Sequence, residues 1–182
     1  MIGTQSALKW TYKDYLSFSD EKRYEIIEGE KSILPSLNTY HQKIFRRLGE
    51  KISGFVYSND LGEVFYAPYD VVLSDEDVVQ PDILYVSRER LDIITEKNIQ
   101  GSPDLIIEII SGYSEKQDRI EKKKAYSKHG VKEYWIVDPA SQSIEVMILG
   151  ELGYTTIGIY GKDENLTSSV LKGMDVNLKE VF

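Results

Sequence analysis

The chain contains no cysteine. That excludes a disulfide framework and any thiolate metal site, and it makes a reducing compartment the natural expectation. No apolar run approaches the ~20 residues that a membrane span needs, and the N-terminus has no basic segment followed by an apolar core. A cytoplasmic protein without a membrane partner is therefore expected. Repeats, low-complexity tracts and interdomain linkers are also missing, so the 182 residues read as one domain, 1–182, long enough to bury a real core. Positive charge is scarce as well. A net charge of −8 speaks against nucleic acid as a partner, because phosphate contacts come from clustered lysine and arginine.

The distribution of charge softens that objection. Between Glu115 and Lys132 stand seven basic residues, Lys116, Arg119, Lys122, Lys123, Lys124, Lys128 and Lys132, against Glu115, Asp118 and Glu121. This is a local +4 that leaves −12 for the rest. A solvated helix face is the plainer account of such a run.

The apolar run Leu105 to Ile110, preceded by Pro103-Asp104 and interrupted only by Glu108, organises the pattern. It is short, rich in β-branched residues and apolar at odd and even positions, which predicts a central strand covered on both faces. Glu108 is then buried and needs a partner, either a cation in a structural ion pair or a metal. Around this strand the spacing predicts an opening helix over Ala7 to Phe18, a hairpin of Tyr24 to Glu28 and Lys31 to Leu34, and an amphipathic helix from Tyr40 to Ile52 stopped near Gly54. A strand from Glu63 to Leu73 is interrupted at Pro68, and Val78 to Val86 forms the next. A helix runs from Glu115 to His129, opened by a Ser114/Gln117 capping box and closed at Gly130. Strands follow over Glu133 to Val137, Ile144 to Leu149 and Tyr154 to Tyr160, with a last helical turn from Leu178. This order gives an α/β, mixed α+β fold, a mixed central sheet flanked by helices with additional C-terminal strands.

Pro81-Asp82 lies within the Val78 to Val86 strand, so a second acid stands among aliphatic residues. Neighbouring strands can bring Asp82 and Glu108 side by side across the ~4.8 Å strand spacing, where two carboxylates can share a divalent ion. Asp104 lies about 13 Å along the strand from Glu108, too far to share it, and belongs at the strand entrance. On a helix of 100° per residue, Asp118, Lys122, Ala125 and His129 fall on one face, and Lys123 and Lys124 on others. Lys122 is then either the lysine aimed at the acids or one half of an ordinary i,i+4 pair with Asp118.

Pro81-Asp82, twenty-five further residues and then Glu108 in an apolar strand resemble the PD-(D/E)XK signature of restriction-endonuclease-like nucleases. The wider set, Tyr24-Glu25 before Gly29-Glu30, His41-Gln42, Gln80-Pro81-Asp82-Ile83, Pro103-Asp104-Leu105, Glu121-Lys122 and Glu133-Tyr134-Trp135, resembles the bacterial Uma-two family over roughly Trp10 to Leu149. The signature's lysine belongs two residues after the glutamate, where this chain has Ile110. The resemblance implies that Lys122 has taken its place and that Glu25 is the family's N-terminal acid. It also implies a restriction-endonuclease-like core and a metal-dependent nuclease, a hydrolase that cleaves nucleic acid, DNA before RNA. Asp82 and Glu108 are then the metal ligands, Asp82, Glu108 and Lys122 the catalytic set, and Glu25, His41 and Gln80 candidate supporting residues. For His41 a locally satisfied place in the first helical turn is the competing account.

A carboxylate site without thiolates suits Mg²⁺ or Mn²⁺. Lys123 and Lys124 are the expected nucleic-acid contacts, and replacing Lys122 is expected to spare the fold. A homodimer follows from the resemblance and from the tyrosine-rich C-terminal strands, Tyr154 and Tyr160 included. The alternative is a catalytically inactive module of the same fold that binds nucleic acid or a protein.

Overall fold

In the computed structural model, which describes residues 8–20, 22–112 and 114–182, the apolar run sits inside a six-stranded sheet. In chain order come a single helical turn α1 (Tyr12–Tyr15), strands β1 (Tyr24–Ile27) and β2 (Glu30–Ile33), and the long helix α2 (Thr39–Ser58). Then follow β3 (Gly62–Tyr66), β4 (Val71–Ser74), β5 (Asp77–Val79), β6 (Ile83–Ser87), a 3-10 segment Arg88–Ile93, β7 (Ile99–Gln100) and β8 (Leu105–Ile109). A π-helical segment Gln117–Lys122 leads directly into α3 (Lys123–His129). The chain closes with β9 (Glu133–Asp138), β10 (Ser143–Gly150), β11 (Gly153–Gly161), β12 (Asn165–Thr167), β13 (Asp175–Asn177) and a 3-10 turn Leu178–Glu180. The larger sheet has the order β11-β10-β9-β8-β6-β3 and a smaller one the order β2-β1-β5-β4-β7. This is the mixed α/β architecture that the element order predicts, and β8 pairs parallel to β9 as a strand, helix, strand crossover requires. Among the described residues no helix is long and apolar enough to cross a membrane.

Both faces of β8 are covered. Leu105, Ile107 and Ile109 pack against Ile44, Leu48, Ile52 and Val56 of α2, together with Leu166 and Val176 of the C-terminal ribbon. Ile106 and Ile110 point the other way, toward Ala125 and Tyr126 of α3 and Val71, Val79 and Ile99 of the smaller sheet. The period-2 alternation of a strand therefore sends Glu108 to the α3 side.

Several boundaries differ from the sequence expectation. Ala7 lies outside the described residues, and the described part of the opening helix holds one turn, capped reciprocally by Thr11 and Asp14. Helix α2 continues past Gly54 to Ser58 because Val56 stays on the buried stripe, and burial outweighs the roughly 1 kcal/mol that an internal glycine costs. Val78 to Val86 is two strands in two sheets, so Pro81-Asp82 occupies a break rather than a strand interior. A proline that cannot donate to the ladder marks where the chain changes sheet. Ser114 does not form a capping box with Gln117. Its hydroxyl accepts from the Ser111 amide, and the Gln117 side chain reaches Ser32 instead. The left-handed Gly130 closes α3 as expected. Tyr154 and Tyr160 turn inward: Tyr154 donates to the Val131 carbonyl, and Tyr160 packs on the core. The exposed apolar residues of β11, an edge strand, are Ile157 and Ile159.

Candidate active site

The antiparallel register between β6 and β8 pairs Ile83 with Ile107. One step further sets Asp82 opposite Glu108, where β6 begins and β8 ends. Asp82 Oδ2 accepts from the Ile109 amide at 2.8 Å, which fixes that carboxylate against β8. From the opposite side the π-helical segment and α3 bring Lys122 and Tyr126, one turn apart, onto Glu108. Lys122 Nζ donates to Glu108 Oε1 at 3.0 Å and the Tyr126 hydroxyl to the same oxygen at 2.6 Å.

Lys122 is held by more than one acid. Its Nζ also lies 2.9 Å from Glu25 Oε1 and 3.3 Å from Asp118 Oδ1. Glu25 comes from β1 of the smaller sheet, where its Oε1 also accepts from the Gln80 amide. The two accounts of Glu108, ion pair or site carboxylate, are therefore not exclusive, and the i,i+4 pair of Lys122 with Asp118 is real but belongs to a larger cluster. His129 shares that inward face but stands two α turns beyond Lys122, where it bonds to Asp77 at 2.7 Å. Asp118 and Lys122 stay on one face although Gln117–Lys122 is π-helical, a kind of segment that recurs at functional sites.

The cluster is short of positive charge. Glu25, Asp82, Glu108 and Asp118 are all buried, and among them stands the single ammonium of Lys122. Burial drives the Glu108 carboxyl well above the usual range, with Lys122 opposing the shift and Asp118, Asp82 and Glu25 adding to it. Burial works against the Lys122 charge, yet Glu108, Glu25 and Asp118 hold its pKa well above the ordinary lysine value. The cluster borders a cavity of about 40 Å³ lined by Asp82, Glu108, Asp118, Lys122, His41 and Gln80 among others. That is room for an ion and one or two waters, at ~10–15 Å³ each.

His41 continues the buried stripe of Ile44, Leu48 and Ile52 on α2 and is 2% exposed. Only its backbone amide is satisfied locally, by Asn38 Oδ1. Neither ring nitrogen has a hydrogen-bond partner, although Nε2 stands 3.2 Å from Asp82 Oδ2. Asp118 Oδ1 is likewise without a hydrogen bond and has only the Lys122 ammonium, 3.3 Å away. An unpaired buried polar atom is costly, and His41 Nδ1, on a residue of the cavity wall, is one that an occupant of the site would relieve. Among the described residues no three His, Asp or Glu side chains already form a metal cage. Two carboxylates flanking a small cavity with polar walls suit Mg²⁺, which keeps several of its waters and takes one or two protein carboxylates.

Asp82, Glu108, Lys122, Glu25, His41 and Gln80 thus come together. Asp104 sits at the entrance to β8, held by Arg90, Lys132 and the Ser87 amide. Lys123 and Lys124 lie away from the cavity, and Lys124 pairs with Glu28 at 2.6 Å. Sequence reasoning took Asp118 only as a helical partner and did not single out Tyr126 or Arg23. The i+4 spacing of Tyr126 from Lys122 was an available signal. Nothing local marks Arg23, which lines the cavity and donates to Gln80 Oε1 at 2.8 Å.

A family model named Uma2 and described as "Putative restriction endonuclease" matches residues 10–179. Among solved structures, this chain is similar to one described as a putative nuclease belonging to DUF820 from Anabaena variabilis. The TM-score is 0.79 and the identity 21%, over 94% of this chain and 97% of that one. At that identity the likeness establishes a shared fold. No curated protein matches.

Proposed function

The chain belongs to the Uma2 family, and from that membership and the cavity's charge imbalance we propose a metal-dependent endonuclease acting on nucleic acid, DNA before RNA. Residues 1–182 act as one such domain. The observation that carries this reading is the set of four buried carboxylates that share one lysine at a single cavity, whose wall also holds His41 with Nδ1 lacking a partner among the described residues. Asp82 and Glu108 would hold Mg²⁺ or Mn²⁺. Such an ion supplies Lewis acidity toward a phosphodiester oxygen and lowers the pKa of a water.

The chain's own residues do the rest. The Ile109 amide fixes Asp82 Oδ2, which leaves Oδ1 for the cavity. Tyr126 and Lys122 both occupy Glu108 Oε1, which leaves Oε2 free among the described residues. Lys122 keeps Glu108 ionised once the cavity is filled and offers its charge to the phosphate as negative charge develops there. Glu25 and Gln80 hold Lys122 and the β5–β6 break in place, and His41 braces Asp82. A homodimer agrees with the exposed Ile157 and Ile159 on the β11 edge. A cytoplasmic setting agrees with the lack of cysteine.

The test is cleavage of a plasmid and of an oligonucleotide with and without Mg²⁺ or Mn²⁺, alongside calorimetric titration of the ion into wild type and Asp82→Asn. The expected result is cleavage that needs the ion, with both binding and cleavage lost in Asp82→Asn. Cleavage that survives chelation, or ion binding unchanged by Asp82→Asn, would overturn the assignment.

A further inference from the structure

Of the seven basic residues in the Glu115–Lys132 stretch, five are spent within the chain. Lys122 is buried among acids, Lys124 pairs with Glu28, Lys128 with Asp77 and Lys132 with Asp104, and Arg119 meets Glu115, Asp138 and Glu145. Lys116 and Lys123 form no salt bridge among the described residues, but they line neither the acid cavity nor the clefts that hold Lys43 and Lys22. A different surface has cations to spare. Lys22, Arg23 and Lys43 form no salt bridge among the described residues, and Arg46 has only an exposed i,i+4 pair with Glu50. Such a pair is weak enough to exchange for a phosphate.

These cations line two clefts, the second of which adjoins the acid cavity. One, of about 580 Å³, lies between the outer face of α2 and β3 and is lined by Lys43, Arg46, Phe45 and Tyr66 among others. The second, of about 440 Å³, holds Lys22 and Arg23. Gln42 lines both clefts, and Arg23, Leu34, Pro35 and Leu37 line both the second cleft and the acid cavity. The shared residues set the three side by side in one tract, the second cleft between the other two.

Its far end is aromatic. Phe45 and Tyr66 meet edge to face at 5.6 Å between centroids. Tyr66 lies across α2 at Gly49, donating to the Gly49 carbonyl at 2.9 Å, at a position where a Cβ would come within 2.6 Å of its ring. A half-buried aromatic pair flanked by cations is the arrangement that stacks an unpaired base while holding its phosphates.

We propose that this tract, and not the lysine-rich helix, binds the nucleic-acid substrate as an unpaired strand. Phosphates lie on Arg46, Lys43, Lys22 and Arg23, and a base stacks in the Phe45–Tyr66 cleft before the strand reaches Asp82 and Glu108. Charge complementarity names the occupant: four cations and one acid, Glu50, line the two clefts of a chain whose net charge is −8. The inference rests on the nuclease reading, and binding measured without cleavage separates the two.

The experiment is fluorescence anisotropy of a labelled single-stranded DNA oligonucleotide in chelator across a salt series. The double variant Lys43→Ala/Arg46→Ala is expected to bind several-fold more weakly and to lower the salt slope by roughly 1.4, at about 0.7 per phosphate contact. Phe45→Leu, which keeps the apolar packing, is expected to lose at least about fivefold in affinity with an unchanged slope, and Phe45→Trp to restore it. Lys123→Ala/Lys124→Ala is expected to bind as wild type does. Wild-type binding that is lost at Lys123 and Lys124 but unchanged by the tract variants would overturn this inference and leave the nuclease reading standing. A wild-type protein that binds no nucleic acid would overturn both.

Discussion

Replacing Lys122 by methionine tests the charge bookkeeping of the cluster, since the sequence alone leads one to expect an intact fold and the structure does not. Lys122 Nζ stands 2.9, 3.0 and 3.3 Å from carboxylate oxygens of Glu25, Glu108 and Asp118. At ~3 Å and an effective dielectric of ~20 each attraction is about 5 kcal/mol gross, most of it offset by the desolvation of ammonium and carboxylates. Methionine fills the volume but leaves three buried acids without a counter-ion. The net loss expected is about 3–5 kcal/mol, or roughly 10 °C in melting temperature for a chain of this size.

Glu108→Gln makes the opposite change at the same contact. Lys122 keeps Glu25 and Asp118, Tyr126 keeps an acceptor, and a carboxylate that burial already drives toward its proton is removed. Its cost is expected within about 1 kcal/mol. The assay is urea denaturation at pH 8 in chelator, repeated at pH 5. The Lys122→Met deficit should shrink at pH 5 as the acids take up protons, and it should shrink at pH 8 when Mg²⁺ is added, by ligand linkage. Equal losses in the two variants, or a Lys122→Met protein as stable as wild type in chelator, would refute the reasoning.

Three further outcomes follow from individual contacts. Asp77 accepts from the Glu28 amide, His129, Lys128 and Ser74, and these bonds outweigh burial to bring its pKa down to about 2. A depressed carboxyl stabilises the fold above its unfolded pKa of about 4. Roughly 2 kcal/mol should therefore be lost between pH 4 and pH 2, and an Asp77→Asn protein whose acid melt matches wild type would contradict this. Glu133 is buried and accepts from Trp135 Nε1, the Ser168 hydroxyl and the amides of Ser169 and Val170, so it pins the C-terminal ribbon to β9. Glu133→Ala should cost about 3 kcal/mol or more in denaturant, with hydrogen exchange rising first over residues 165–177. Gly49→Ala places a Cβ 2.6 Å from the Tyr66 ring. It should destabilise by about 1–3 kcal/mol despite the better helix propensity of alanine, as thermal melts will show.

Local pattern determined a good deal of this protein. The apolar, β-branched run before Ser111 reads as a strand covered on both faces, and its parity set Glu108 on the face opposite Ile107 and Ile109. The proline at position 81 next to Asp82, the Ile44, Leu48, Ile52 stripe and Gly130 each acted through backbone geometry or side-chain period within a few residues. Hence β8, α2 and the end of α3 were legible, as was the pairing of Asp82 with Glu108. Only the tertiary structure decided which charges meet. Glu25 reaches Lys122 from a different sheet, Glu28, Asp77 and Asp104 neutralise lysines that look like a free basic face in sequence, and His41 points at Asp82 from the far helix. Coulomb pairing acts across space at 3 Å whatever the separation along the chain, so the net charge of a segment says little about the potential it presents. The unspent cations of Lys22, Arg23 and Lys43 became visible only once every other lysine and arginine had found, or failed to find, its acid.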